Sequence, residues 1–199
     1  MLVLEEGKEK KMKVLLSSKL EVKHLENIKK IVVLSDTHLP VRAAKIPDQI
    51  IEQFKSADLI IHAGDHQTIE VVNLLQNYRN YIGVCGNMDS DDVADKLPEK
   101  VIININNNNK EFKIGVTHGS GPPQGLAERI LNFFEEKPDC IIFGHSHHPF
   151  NEKINNTLVF NPGSPTDTVF TTINTFGILT ISDEIKGEII KIDNNNEKQ

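Results

Sequence analysis

The chain has 199 residues, of which 38% are hydrophobic and 25% charged; this is the balance of a globular protein and excludes a fibrous or wholly disordered one. That length supplies a core for a single domain. A formal net charge of −6 argues against broad electrostatic binding to nucleic acid, though not against a phosphate-bearing substrate, because bound divalent cations reverse the local potential.

The first 29 residues are charged and only weakly periodic. They read as an N-terminal extension, with a disordered lead, a short hairpin or an edge element around Val14–Leu16 all open. The leading MLVLEEGKEKKMKVLL lacks the apolar core and small-residue cleavage site of a signal peptide, and no apolar run approaches the roughly 20 residues that cross a bilayer. A cytoplasmic location is expected. In that setting Cys85 and Cys140, each near a strand end, are expected to be reduced, buried and inert.

Regular order is expected from Lys30, where KIVVLSDTH is an apolar, β-branched run ending in a polar turn, as in a strand buried on both faces. PDQIIEQFKSA follows, with Pro47 suited to a first helical turn and Ile50, Ile51 and Phe54 at helical spacing. A strand (DLIIHAGD), a helix (QTIEVVNLLQN) and a strand (NYIGVCGN) complete a β-α-β-α-β series, whose parallel strands place helices on the sheet faces. EKVIININ and KEFKIGVTHG flank four asparagines, Asn106–Asn109, and read as antiparallel strands around a solvated tip. The helix QGLAERILNFFEE, with Leu126, Ile130 and Phe134 on one face, leads to the strand DCIIFGHSHH. Four strand-like segments follow (FNEKIN, TLVFNPGS, FGILTIS, GEIIKI). The domain expected is residues 30–192, with 193–199 a frayed tail.

Five strand ends terminate in residues able to hold metal: SDTH at 35–38, HAGDH at 62–66, GNMDS at 86–90, THG at 117–119 and GHSHH at 144–148. Each alone is weak, since Asp after a strand is commonly a turn former and a lone His a satisfied polar group. Together they deliver two carboxylates, four imidazoles and an amide to one sheet edge, where α/β folds bind ligands. Asp36 and His38, like His145 and His147, alternate along extended chain and so face one side. Asp65 can bridge two ions through its two oxygens, and Gly64 before it permits close approach.

These motifs (D-x-H, G-D, G-N, H-G and G-H-x-H, in that order), with NPGSP at 161–165, resemble the calcineurin-like metallophosphoesterase superfamily, in its small bacterial and archaeal phosphodiesterase form. The resemblance covers about residues 30–192. It implies an α/β fold: a four-layer sandwich of two mixed β-sheets flanked by helices. It also implies two divalent metal ions, with Asp36, His38 and His147 on one, Asn87, His118 and His145 on the other, and Asp65 between. Asp65, Asn87 and His118 are then the catalytic candidates, and a metal-bridging hydroxide is the nucleophile, so no Ser-His-Asp arrangement is needed. Ser35, Ser146 and Ser164 read as turn or packing residues. Asn/Asp/His ligation favours manganese, with iron, cobalt, nickel or zinc as alternatives.

One departure matters. Many members of the family carry a proton-donating His after the GN, where this chain has Met88. General acid catalysis is worth about 10²–10⁴-fold, so diesters with good leaving groups are favoured unless His66 or His148 replaces it. Asp89 and His62 are candidates for support of the ligands. The expected partner is a small phosphoester; a homodimer is compatible with the resemblance, and no membrane is expected. Against the enzyme stands a non-catalytic scaffold of the type of the retromer subunit Vps29, which shares the fold. A scaffold has no use for four converging imidazoles. A structural metal site, usually Cys-rich and closed, fits these ligands poorly.

Overall fold

The computed structural model describes residues 20–78, 80–107 and 109–193. Two mixed sheets stack face to face. One has the order β11-β10-β2-β3-β4 and the other β1-β5-β6-β7-β9-β8. In the first, β2 (Lys30–Leu34), β3 (Leu59–His62) and β4 (Tyr81–Gly83) run parallel. They are joined by α1 (Asp48–Phe54) and α2 (Ile69–Gln76), as the apolar runs predict. The antiparallel pair β10 (Thr175–Ile181) and β11 (Ile185–Lys191) extends this sheet beyond β2. In the second, β5 (Lys100–Asn107) and β6 (Lys110–Thr117) form the expected hairpin. β7 (Cys140–Ile142) and β9 (Thr157–Asn161) add in parallel, and β8 (Phe150–Ile154) closes the far edge.

Helices cover the outer faces, giving four layers. Val32, Leu34 and Ile60 face outward from the first sheet against Ile50, Phe54 and Leu75. Between the sheets lie Ile31, Val33 and Ile61 from one side and Val101, Ile103, Ile114 and Ile142 from the other, around Phe160. Strands buried on both faces thus read as continuous apolar runs, and β5, with one face less covered, alternates.

Three features differ from the sequence reading. Order begins before Lys30: β1 (Leu20–Glu26) pairs in parallel with β5 along its whole length. Its apolar Leu20 and Val22 face solvent while Glu21, Lys23 and Leu25 turn inward, so the alternation gives no core signal and the edge is held by backbone pairing. The edge element suggested around Val14–Leu16, like the tail from residue 194, lies outside the described residues. A short helix, α3 (Asp91–Lys96), buries only Val93, too little to show a period.

The last helix, α4, is Leu126–Leu131, shorter than its apolar pattern. The carbonyls of Leu131 and Phe133 accept from Lys137 Nζ (2.5 Å) and Lys100 Nζ (3.3 Å), which replaces the next helical turn. Phe134 still reaches the core, because its ring occupies the space that a side chain at Gly115 would take.

Candidate metal centre

The candidate ligands stand on turns just past β2, β3, β4, β6 and β7, at the end where the two sheets meet. Five of the seven, Asp36 (φ +54°), His38 (+44°), Asp65 (+59°), His145 (+69°) and His147 (+59°), have left-handed backbone. Such conformations cost about 1–2 kcal/mol per residue and persist only when their surroundings fix them. Here they are fixed. Asp36 N donates to Gly64 O (3.0 Å) and His38 N to Asp65 O (3.0 Å), locking the first two turns together. Ser164 Oγ holds Asp36 O (2.7 Å), Thr166 Oγ1 holds Thr37 O (2.6 Å), and His145 N donates to the Asp36 carboxylate. Gly144 and Gly86 make room: a Cβ would lie 1.8 Å from Ser35 Oγ at the first and 2.2 Å from Asp65 Oδ1 at the second.

Asp36, His38, Asp65 and His147 are all buried, with ligand atoms mutually within 4.8 Å. Their Nε2 atoms point inward: His38 Nε2 lies 3.5 Å from Asp65 Oδ2, His147 Nε2 lies 3.4 Å from Asp36 Oδ1, and the two nitrogens are 3.3 Å apart. His118 approaches from the other side, its Nε2 3.3 Å from Asp65 Oδ2 and 4.0 Å from Asp36 Oδ1. Asn87 and His145 form a separate pair, Oδ1 to Nδ1 at 2.9 Å, and line the same cavity as Asp65. The structure therefore gathers five of the seven, three imidazoles around two carboxylates, and sets Asn87 and His145 beside them.

The hydrogen bonds on the far side of each ring decide what Nε2 presents. His118 Nδ1 donates to Ala63 O (2.8 Å), His147 Nδ1 to Asp167 Oδ2 (2.8 Å) and His38 Nδ1 to Gln67 Oε1 (3.1 Å). With Nδ1 so committed, the neutral ring carries its lone pair on Nε2. Three lone pairs then converge on two carboxylates, an arrangement that needs protons or metal cations at its centre. His118 Nε2 is buried without an aligned hydrogen-bond partner. Burial opposes charging of His118, but Asp65 and Asp36 outweigh it and push its pKa up to about 9. Burial raises the Asp36 carboxyl against the pull of His118 and His147. For Asp65 the burial penalty is overcome by His118 and the Met88 amide, which hold it low. A buried orphan nitrogen and mixed N/O donors fit a divalent metal, and the Nδ1 partners are those that ligating histidines need.

Two supporting residues escaped the sequence reading. Asp167, fully buried, orients His147 and accepts the amides of Val169 (3.0 Å) and Phe170 (2.9 Å), with Arg42 Nε 3.6 Å away. Gln67 does the same for His38. Only the adjoining NPGSP segment hinted at the first. Asp89 orients no ligand side chain. Its carboxylate instead gathers the amides of Asp65 (3.2 Å), Gln67 (2.7 Å) and Gly86 (2.8 Å), fixing both turns. His62 contacts Thr37 Oγ1 (3.0 Å) and stacks on His66.

Of the two candidate acids, His66 is buried and bonded to Tyr81 OH (2.6 Å), closed to substrate, whereas His148 is exposed and lines the cavity. Met88 is 52% exposed beside it. Ser35 does more than turn the chain: its Oγ donates to Asp36 Oδ2 (2.6 Å). Cys140 is buried, but Cys85 is only half-buried, at a cavity wall, contrary to expectation.

A two-sheet α/β sandwich with Asp and His donors at its strand ends defines a metallophosphoesterase. Residues 30–184 match the calcineurin-like phosphoesterase superfamily domain, and the chain belongs to that family of hydrolases. It is 37% identical over 164 residues to a probable metallophosphoesterase of Methanocaldococcus jannaschii, covering 81% of this chain and 80% of that one. It is 28% identical over 169 residues to a phosphodiesterase of the same organism, covering 81% and 98%. The vacuolar protein sorting 29 structure from Cryptosporidium parvum superposes with a TM-score of 0.65 at 20% identity, over 84% of this chain and 100% of that one, a likeness of fold. Among the described residues no helix is long and apolar enough to cross a membrane.

Proposed function

We propose that the protein is a phosphodiesterase that works with two divalent cations, manganese first among them. The observation that carries this reading is the convergence of the His38, His118 and His147 Nε2 atoms on Asp36 and Asp65. Asp36, His38 and His147 would hold one cation, Asn87, His118 and His145 the other, with Asp65 shared between them. When bound, such a pair supplies Lewis acidity toward phosphate oxygens and acidifies coordinated water.

The chain's own residues do the rest. Gln67, Ala63 O and Asp167 keep the three rings in the tautomer that offers Nε2. Arg42 lines the cavity beside His38 and His147 and brings positive charge to an anionic substrate. His148, on the same wall, is placed to give a proton to a departing alkoxide, the role that Met88 cannot fill.

Room for two ester groups supports a diester. Cavities of about 480 and 540 Å³ share Asn87 in their walls. The phosphodiesterase name of one relative points the same way. Likeness to vacuolar protein sorting 29 reaches the fold alone, and this donor set favours the enzyme over a scaffold.

The test is hydrolysis of bis(p-nitrophenyl) phosphate by Mn²⁺-loaded protein. Turnover that disappears on chelation and returns with Mn²⁺ is expected; bound metal without turnover across diesters and monoesters would favour the scaffold. A second expectation concerns protons. Below about pH 9 the metal-free His118 holds a proton that a metal must displace. Apparent metal affinity should therefore rise with pH up to about 9 and level off above it. At pH 7.5 calorimetry in buffers of different ionisation enthalpy should find about one proton released per chain on loading. Loading without proton release would show that the metal displaces no proton from His118.

A further inference from the structure

The 540 Å³ cavity opens directly from the candidate metal centre, since Gly86, Asn87 and His118 form its inner wall. Its outer wall is apolar: the nearly buried Leu126 and Ile130 from α4, and Phe133, a residue 45% exposed. Gly119 keeps that wall open, because a Cβ there would lie 3.2 Å from Ile130 and 3.4 Å from Leu126.

The charges of the cavity are as telling. Its one guanidinium, Arg129, is already spent on the carbonyls of Gln124 (2.8 Å), Ser120 (3.2 Å) and Pro122. Its one carboxylate is the exposed Glu99. Lys100 is held outside, its ammonium over the Phe133 ring at 4.4 Å and bonded to the Phe133 carbonyl. A second phosphate placed here would meet the Glu99 carboxylate and a guanidinium whose donors are already engaged by backbone carbonyls. A neutral ring would meet the exposed part of Phe133 and the edges of two aliphatic side chains, the apolar lining usual in a ligand pocket.

We propose that this cavity receives one ester group of the substrate and selects for an uncharged, ring-bearing alcohol, with Phe133 as the specificity-determining residue. The preferred substrates are then phosphodiesters with a neutral aromatic or similarly planar substituent, rather than polyphosphates or nucleic-acid strands continuing past the site on this side. The assignment rests on the phosphodiesterase reading above.

Phenylphosphonate and methylphosphonate, titrated calorimetrically into Mn²⁺-loaded protein, separate the two ideas, because both carry the anionic head and only one carries the ring. Wild type is expected to bind phenylphosphonate about tenfold more tightly, the order expected from burying part of a ring. Phe133→Ala, which removes the wall, and Ser120→Phe, which fills the space, should each bring the ratio close to one. Metal content and methylphosphonate affinity should stay at the wild-type values. No preference in wild type, or an undiminished preference in both variants, would overturn the proposal. Failure of both phosphonates to bind wild type would overturn the phosphodiesterase reading itself, and this assignment with it.

Discussion

Asp65→Asn is expected to leave the protein folded and to lower metal-dependent turnover by about 10³-fold or more. Asn tolerates the left-handed backbone at this position (φ +59°), and its carbonyl can still accept the Met88 amide, now 2.8 Å from Asp65 Oδ1. The other oxygen is the point of damage. Oδ2 lies 3.5 Å from His38 Nε2 and 3.3 Å from His118 Nε2, so it faces both halves of the proposed centre. Replacing it with an amide nitrogen removes the charge and turns a donor toward a region that needs acceptors. Several kcal/mol of charge stabilisation then disappear, and each 1.36 kcal/mol is a factor of ten in rate. Turnover with Mn²⁺ in excess, beside a circular dichroism spectrum, reads the effect. Near-wild-type rates would rule out Asp65 as a shared ligand.

Asp167→Asn should behave differently, weakening metal binding by about 10–100-fold while leaving turnover recoverable at high Mn²⁺. The carboxylate does not face the centre; it holds His147 Nδ1 at 2.8 Å and so sets which nitrogen the ring presents. Burial works against its charge, but the Val169 and Phe170 amides and His147 together hold its pKa below the usual value. The amide keeps one oxygen for those donors, so a modest loss of stability accompanies the loss of affinity. Competitive metal titration with a chelator measures the shift. A defect that excess metal cannot repair would place Asp167 among the reacting groups instead of behind His147.

The contrast between these two residues marks what the sequence discloses. Asp65 is legible because it closes an apolar strand, and the same grammar announces Asp36, Asn87, His118 and His145. The β-α-β-α-β half was legible for a related reason: strands covered on both faces are written as unbroken β-branched runs, such as Ile31–Leu34 and Leu59–Ile61. Asp167 sits on a turn with no strand running directly into it, where Asp is ordinary, and its role depends on a partner twenty residues away in the chain. β1 was hidden because its inward face carries Glu21 and Lys23 and its outward face carries Leu20 and Val22. Phe134 followed the helical period without being helical, since Gly115 gives its ring a place to pack. The positive φ angles at five of the candidate ligands leave little trace in residue type: Asp and His tolerate them better than most side chains but usually adopt other conformations, and the packing of the two sheet ends enforces them.

The most direct measurement is the number of ions at saturation. Metal-free protein dialysed to equilibrium against Mn²⁺ and assayed by atomic emission should retain two ions per chain, with His118→Ala retaining fewer. A wild-type stoichiometry of one or below would contradict a shared Asp65 and the two-metal phosphodiesterase together.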